Sequence, residues 1–187
     1  MRRTIRSVAA AATLLALAAC GSTPAPGYQP SIANLQALRV GMKPMGVDDF
    51  SAAAGVNDTR LGVRADSMTG AGGDGAFSTY LQQALETELR NAGRFDADAG
   101  LRLSGVLIEN RLDASGFSVG RASVGARFVL TRDGVVVYDK MHNVEHEWES
   151  SFIGALAIPA AMQGYAAAVQ KLTGQLFADP TFVEATR

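Results

Sequence analysis

Three short stretches of this 187-residue chain carry side chains of types, and at spacings, that do chemistry. "HNVEH", residues 142–146, fits the H-x-x-E-H arrangement, in which two imidazoles bind zinc beside a glutamate base. That chemistry needs a helix, where side chains four residues apart share one face. Here "VVVYDKM" enters the motif from a turn signal and "EW" leaves it, so a strand is expected. At about 3.3 Å per residue, His142 and His146 would stand roughly 13 Å apart. Two ligands of one ion each lie about 2 Å from it, so no metal site is expected. "GAGGDG", residues 70–75, contains G-x-G-x-x-G at Gly70, Gly72 and Gly75 ahead of a helical pattern, where an anion would meet free backbone N–H groups. Asp74 puts a carboxylate at that place and suits an N-cap. The elements that follow read as a meander, whereas a dinucleotide fold needs parallel βαβ units. A flexible connector is expected, and no cofactor. "EHEWE", residues 145–149, sets Glu145, Glu147 and Glu149 around Trp148, the single tryptophan. Paired carboxylates do general acid/base work, so a hydrolase using the Glu145–Glu149 region is one functional reading. Alternating glutamates more often mark the solvated face of a strand. Trp148 reads either as a core anchor beneath the last helix or as part of a partner-binding patch. Nothing in the chain arranges Ser-His-Asp or Cys-His for nucleophilic attack, and a catalytic role is not expected.

The remaining reactive group is Cys20, the one cysteine in the chain. It follows a basic start with Arg2, Arg3 and Arg6 and a twelve-residue apolar run, Val8 to Ala19. These are the parts of a secretory signal peptide, and the run is too short to span a bilayer. "LAAC", residues 17–20, resembles a bacterial lipobox. That resemblance implies a diacylglyceryl group on the Cys20 thiol, cleavage after Ala19 and, usually, acylation of the new amine. Two or three acyl chains hold a protein stably where one holds it marginally. Residues 1–19 are then signal peptide and Cys20 the first mature residue. Gly21 follows, and by the same resemblance an aspartate there would favour retention at the inner membrane. The implied location is the outer membrane, lipid-anchored and facing the periplasm.

Loss of residues 1–19 removes three arginines and leaves 14 basic against 18 acidic residues, a net charge of −4. A mildly acidic domain is a poor ligand for nucleic acid. The hydrophobic share of 48% and charged share of 19% are those of a globular protein. Residues 20–34, rich in proline and glycine, read as the lipidated cysteine and an extended tether. Residues 35–187 read as a single periplasmic domain.

Within that domain, short strands are expected around 38–42 and 60–65, with loop or a helical turn over 48–59 and loop over 67–75. Residues 76–93 form the clearest amphipathic helix. Its apolar stripe is Phe77, Tyr80, Leu81, Ala84, Leu85 and Leu89, with Gly93 at its stop and a Glu86–Arg90 pair outside. "LRLSGVLIENRL" (101–112) is apolar on both faces and so central in its sheet. "SVGRASVGARFVLT" (118–131) turns at "RDG" into "VVVYDKMHNVEHEW" (135–148). A last helix spans 158–177, with Pro159 in its first turn and a seam of Met162, Tyr165, Val169, Leu172 and Leu176. That seam would pack on the sheet or on a second copy of the chain. Residues 151–169 are mostly alanine and glycine, with Gln163 and Pro159 inside, and are not expected to cross a membrane.

The expected fold is α+β: a mainly antiparallel sheet, a three-stranded meander plus one or two short strands, with two helices packed on one face. "LRLSGVLIENRLDAS", "ARFVLTRDGVVVYDK" and "WESSFIGALAIPAA" together resemble small uncharacterised Gram-negative lipoproteins. They are also loosely similar to the auxiliary lipoproteins of envelope ABC transporters and to the small domain at the front of TolB-like proteins. What this implies is a non-catalytic adaptor or accessory in envelope assembly or transport. Its partners would be the membrane, through the N-terminal lipid, an envelope protein and, as a further candidate, a second copy of itself. The alternative is a module binding a lipid or other small hydrophobic ligand between sheet and helix.

Overall fold

The computed structural model describes residues 21–39 and 41–187. Cys20 and residues 1–19, expected as a signal peptide, lie outside the described residues. In chain order the elements are β1 (Ser22–Pro24), α1 (Ile32–Arg39), β2 (Gly46–Ala52), β3 (Leu61–Val63), β4 (Asp66–Thr69), α2 (Phe77–Ala92), β5 (Leu101–Asp113), β6 (Val119–Arg132), β7 (Val135–Glu149), α3 (Gly154–Ala178) and α4 (Pro180–Ala185).

The main sheet runs β2-β5-β6-β7. β5, β6 and β7 form the expected antiparallel meander. Asp133 (φ 51°) and Gly134 (φ 83°) make the β6–β7 turn, because a two-residue hairpin loop of this hand needs positive φ at both positions. β5 is central, as its two apolar faces require. Ala122, Val124, Ala126, Phe128 and Leu130 of β6 point inward and are at most 1% exposed.

The fourth strand corrects the expectation. β2 covers residues read as loop, and it pairs with β5 in parallel, so the sheet is mixed. The polar Asp48-Asp49 hides the pattern, but β2 is an edge strand and only Val47 and Phe50 need to face the core. Asp48 is held by the guanidinium of Arg102 on β5, with Nε at 2.9 Å. Of the residues around 38–42 expected as strand, Leu38 and Arg39 instead finish α1 and Gly41 lies in a turn.

A second, three-stranded sheet runs β1-β4-β3. β1 lies in the segment expected to be a free tether and pairs in parallel with β4. Past it, Ala25 and Tyr28 are buried. Proline and glycine there shape a docked strap on the domain surface. Among the described residues there are four helices, two more than expected.

α2 matches its expected range, and Gly93 closes it in the left-handed conformation (φ 70°). α3 starts a turn earlier than expected, so Pro159 stands inside it, where its missing N–H frees the carbonyl of Ala155. Tyr165, Val169, Leu172 and Leu176 are at most 1% exposed and pack within the domain, against the sheet and α2. Between the layers Phe77 meets Tyr165 edge-on at 5.1 Å, and Phe50 and Phe128 pack at 6.3 Å. Among the described residues no helix is long and apolar enough to cross a membrane.

Candidate functional site

β7 is an edge strand, and its alternation separates two sets of side chains. Glu145, Glu147 and Glu149 project from the open face and are exposed. Arg121 of β6 reaches both Glu145, at 3.5 Å, and Glu147. The three carboxylates therefore form a charged rim on an exposed edge, which discourages pairing with another strand. His142, His146 and Trp148 lie on the other face, toward α3. Trp148 is wedged between two glycines: a Cβ on Gly164 of α3 would come 2.2 Å from its ring, and one on Gly120 of β6 would come 2.3 Å from it. The bare backbone at both positions lets the indole key the helix to the sheet. This is the core-anchor arrangement of the two read from the sequence.

His142 joins a cluster that the sequence motif does not contain. Its Nε2 lies 2.6 Å from the Tyr138 hydroxyl, which donates to Asp179 Oδ2 at 3.0 Å. Lys140 Nζ donates to both Asp179 oxygens at 3.2 and 3.1 Å. Hydroxyl, imidazole and carboxylate in series suggest proton transfer, yet each bond also serves the fold. Asp179 caps α4, accepting from the Thr181 N–H at 2.8 Å, and the Tyr138 ring packs edge-on against Phe182. Burial would raise the Asp179 carboxyl, but donors from Lys140, Thr181 and Tyr138 outweigh it and bring it down to about 2. Burial lowers the His142 imidazole, and nearby Lys140 adds to this while Asp179 opposes it. Burial likewise lowers His146, helped by Lys171. Among the described residues no three His, Cys, Asp or Glu side chains gather as a metal site.

The glycine loop spends the N–H groups of Gly70 and Gly75 within itself. Gly70 N–H donates to Gly75 O at 2.8 Å and Gly75 N–H to Gly72 O at 2.9 Å, so the loop closes on itself. Two carboxylates already occupy the start of α2. Asp58 accepts from Ser78 N–H at 2.7 Å and from its hydroxyl at 2.8 Å. Asp74 accepts from Thr79 Oγ1 and Ala76 N–H, and these bonds, the first above all, hold it below its ordinary range. Asp74 is not itself the N-cap, which is Ala76.

The sequence reading missed Glu88. It lies on the apolar stripe of α2, three residues after Leu85 and four after Ala84, and is fully buried. That position was the available signal. Its Oε1 accepts from the Tyr28 hydroxyl at 2.7 Å, the Ser31 N–H at 3.0 Å and Asn34 Nδ2 at 2.9 Å. Asn34 also donates to Thr173 Oγ1 on α3 at 3.0 Å. Burial, chiefly, raises the Tyr28 hydroxyl well above its usual range. Glu88 thus fastens the segment that follows Cys20 to both helices.

Two grooves sit side by side at the sheet. One of about 480 Å³ is lined by Asn57, Glu109, Asn110, Arg111 and Asn143 among others. The next, about 430 Å³, shares Asn57, Asn110 and Arg111 and adds Asp113 and Arg121. The first has a mainly polar lining, and the second mixes these groups with Leu61 and Leu112. The sheet–helix layer, where a hydrophobic ligand was expected as the alternative, is filled by Phe77, Tyr80, Phe128, Tyr165 and Leu172, each at most 1% exposed.

No family model matches the chain, and no curated protein matches it. Solved structures do. A Xanthomonas campestris protein of the DUF330 family aligns over 88% of this chain and 96% of its own, with TM-score 0.59 and 18% identity. The chain shares that protein's fold. At this identity the likeness extends to the fold alone. A Caulobacter crescentus protein put forward as a lipoprotein aligns over 81% of this chain and 95% of its own, with TM-score 0.48 and 13% identity. A hypothetical protein of Chlamydia trachomatis aligns over 76% and 98%, with TM-score 0.48 and 8% identity.

Proposed function

We propose that this chain is a lipoprotein anchored through Cys20 in the outer membrane, whose periplasmic domain serves as a non-catalytic adaptor or accessory in envelope assembly or transport. The observation that carries the reading is the junction at Cys20. The "LAAC" pattern ends one bond before Gly21, and Gly21 leads directly into a strand and strap built into the domain. A lipid there fastens a folded domain to a bilayer with no free linker. The adaptor role is supported by what the reactive side chains do: His142 and Asp179 brace a helix junction, and Glu145 and Glu147 pair with Arg121 at the surface.

The test is the mass of the N-terminal peptide of the protein isolated from bacterial membranes. A peptide starting at Cys20 and carrying acyl chains is expected. An unmodified peptide, or Cys20→Ala protein that stays in the outer-membrane fraction, defeats the anchor. Crosslinking in intact envelopes, followed by capture of the chain, is expected to return the same envelope protein repeatedly. Capture of the chain alone defeats the adaptor role.

A further inference from the structure

At one end of the molecule four large apolar side chains stand in solvent: Phe117 (68% exposed), Phe152 (77%), Ile153 (58%) and Leu156 (60%). They come from the β5–β6 loop, the β7–α3 loop and the first turn of α3. Phe117 and Phe152 meet edge-on at 5.6 Å, and Leu156 follows Ile153 across one helical bond. A contiguous patch of this kind marks an interaction surface, unlike scattered single residues.

Two independent lines place Gly21 at the same end. The first is strand register. Ser22 pairs with Ser67, just beyond the β3–β4 turn that holds Arg64. Arg64 donates to Gly116 O at 2.8 Å and to Ser151 O at 2.8 Å, and its guanidinium lies 5.8 Å from the Phe117 ring. One side chain thus ties the turn beside the chain's entry to both loops that carry the aromatics. The second is the path along α3. Asn34 bonds at Gln170 and Thr173, the Gln29 carbonyl accepts from Gln170, and Pro26 and Gly27 lie beside Gln163. Followed backward, the strap runs toward the start of α3, where Ile153 and Leu156 sit.

We propose that the Phe117–Phe152–Ile153–Leu156 face lies against the phospholipid bilayer, seated in the interfacial layer beside the lipid on Cys20. This rests on the anchor reading above. A docked strap leaves one peptide bond between a Cys20 anchor and the folded domain, so the surface around Gly21 is the surface drawn to the membrane. Aromatic and branched aliphatic side chains suit that layer, and Arg64 can keep its charge among carbonyls and headgroups while the rings enter. The acyl chains hold the protein at the bilayer, and the patch adds apolar contact that fixes the orientation of the domain on it. Asp113 and Glu149 flank the two loops in sequence and the domain is acidic, so docking is driven by apolar contact and is not weakened by salt. Val135 and Val136 are comparably exposed, but they sit at the far end of β6 and β7, roughly 40 Å away by strand rise.

The full chain carrying Phe152→Cys or Val135→Cys is purified from bacterial membranes. Its introduced thiol is labelled with an environment-sensitive fluorophore, and the protein is reconstituted on vesicles of phosphatidylethanolamine and phosphatidylglycerol containing doxyl-lipid quencher. Both sites are exposed, so neither label disturbs the core. Several-fold stronger quenching at position 152 than at 135, not reduced in high salt, is expected. Equal quenching at the two sites, no quenching at 152, or protection of 152 within a crosslinked dimer overturns the proposal. The N-terminal peptide mass from the same preparation separates the two readings. A lipidated peptide with an unquenched 152 label overturns docking alone, and an unlipidated peptide overturns the anchor and docking with it.

Discussion

Tyr28 donates its hydroxyl to the buried carboxylate of Glu88 at 2.7 Å, across sixty residues of sequence. Through this bond, and those of Ser31 and Asn34 to the same oxygen, the segment behind Cys20 becomes part of the domain. Glu88→Leu removes the acceptor shared by three donors, leaving Ser31 N–H without a partner and Tyr28 and Asn34 with only their contacts to α3. The expected loss is about 3 kcal/mol, read as a lower urea midpoint, with faster proteolysis confined to residues 21–34. Tyr28→Phe removes one of the three bonds and is expected to cost about 1 kcal/mol.

Gly164→Ala places a methyl group where the Trp148 ring now lies, 2.2 Å from its nearest atom. A rigid indole backed by Gly120 cannot retreat, so overpacking of about 1–3 kcal/mol is expected. The double variant Gly164→Ala, Trp148→Leu is expected to recover part of that loss. A thermodynamic cycle from urea melts measures the coupling, and purely additive effects would contradict the wedge.

Stability is expected to fall in two stages on acidification. Burial lowers the folded-state pKa of His142 and His146 from 6.5. The unfolded chain therefore binds protons first, and the contribution of the neutral rings is complete above about pH 6.5 and declines below it. Asp179, at about 2 in the fold against 3.8 as its ordinary value, contributes fully above 3.8 and is lost as the pH falls toward 2. Urea midpoints across this range test the order, and His142→Asn is expected to flatten the upper stage.

Glu145, Glu147 and Glu149 stand on the exposed rim of β7. Their joint exchange for glutamine is expected to leave the urea midpoint unchanged within error, since exposed ion pairs are screened. The same variant is expected to retain envelope localisation. A large loss of function at unchanged stability would give the rim a role beyond solvation.

Much of the fold was legible wherever one element buries one face. The α2 stripe, the inward row of β6, the two apolar faces of β5 and the Asp133-Gly134 turn follow from local periodicity and turn chemistry. β2 escaped because it is an edge strand whose register shifts between Val47 and Phe50, which breaks the alternation and leaves the adjacent Asp48 and Asp49 out of the core. β1 escaped because three residues carry no period, and its strand character comes wholly from β4. The chemical motifs were legible mainly as failures: H-x-x-E-H falls on a strand, and the glycine loop ends in its own carboxylate, Asp74.

By itself, the sequence determined the antiparallel meander and the helical seam of α3, and it carries the lipobox-like pattern that ends at Cys20, because each is written within one run of residues. Tertiary structure alone decided that the proline-rich segment is strapped down by Glu88, that His142 belongs with Tyr138 and Asp179, and that Phe117 and Phe152 meet beside the chain's entry. Those relationships join residues tens of positions apart, and only the closed packing of sheet on helix brings them within bonding distance.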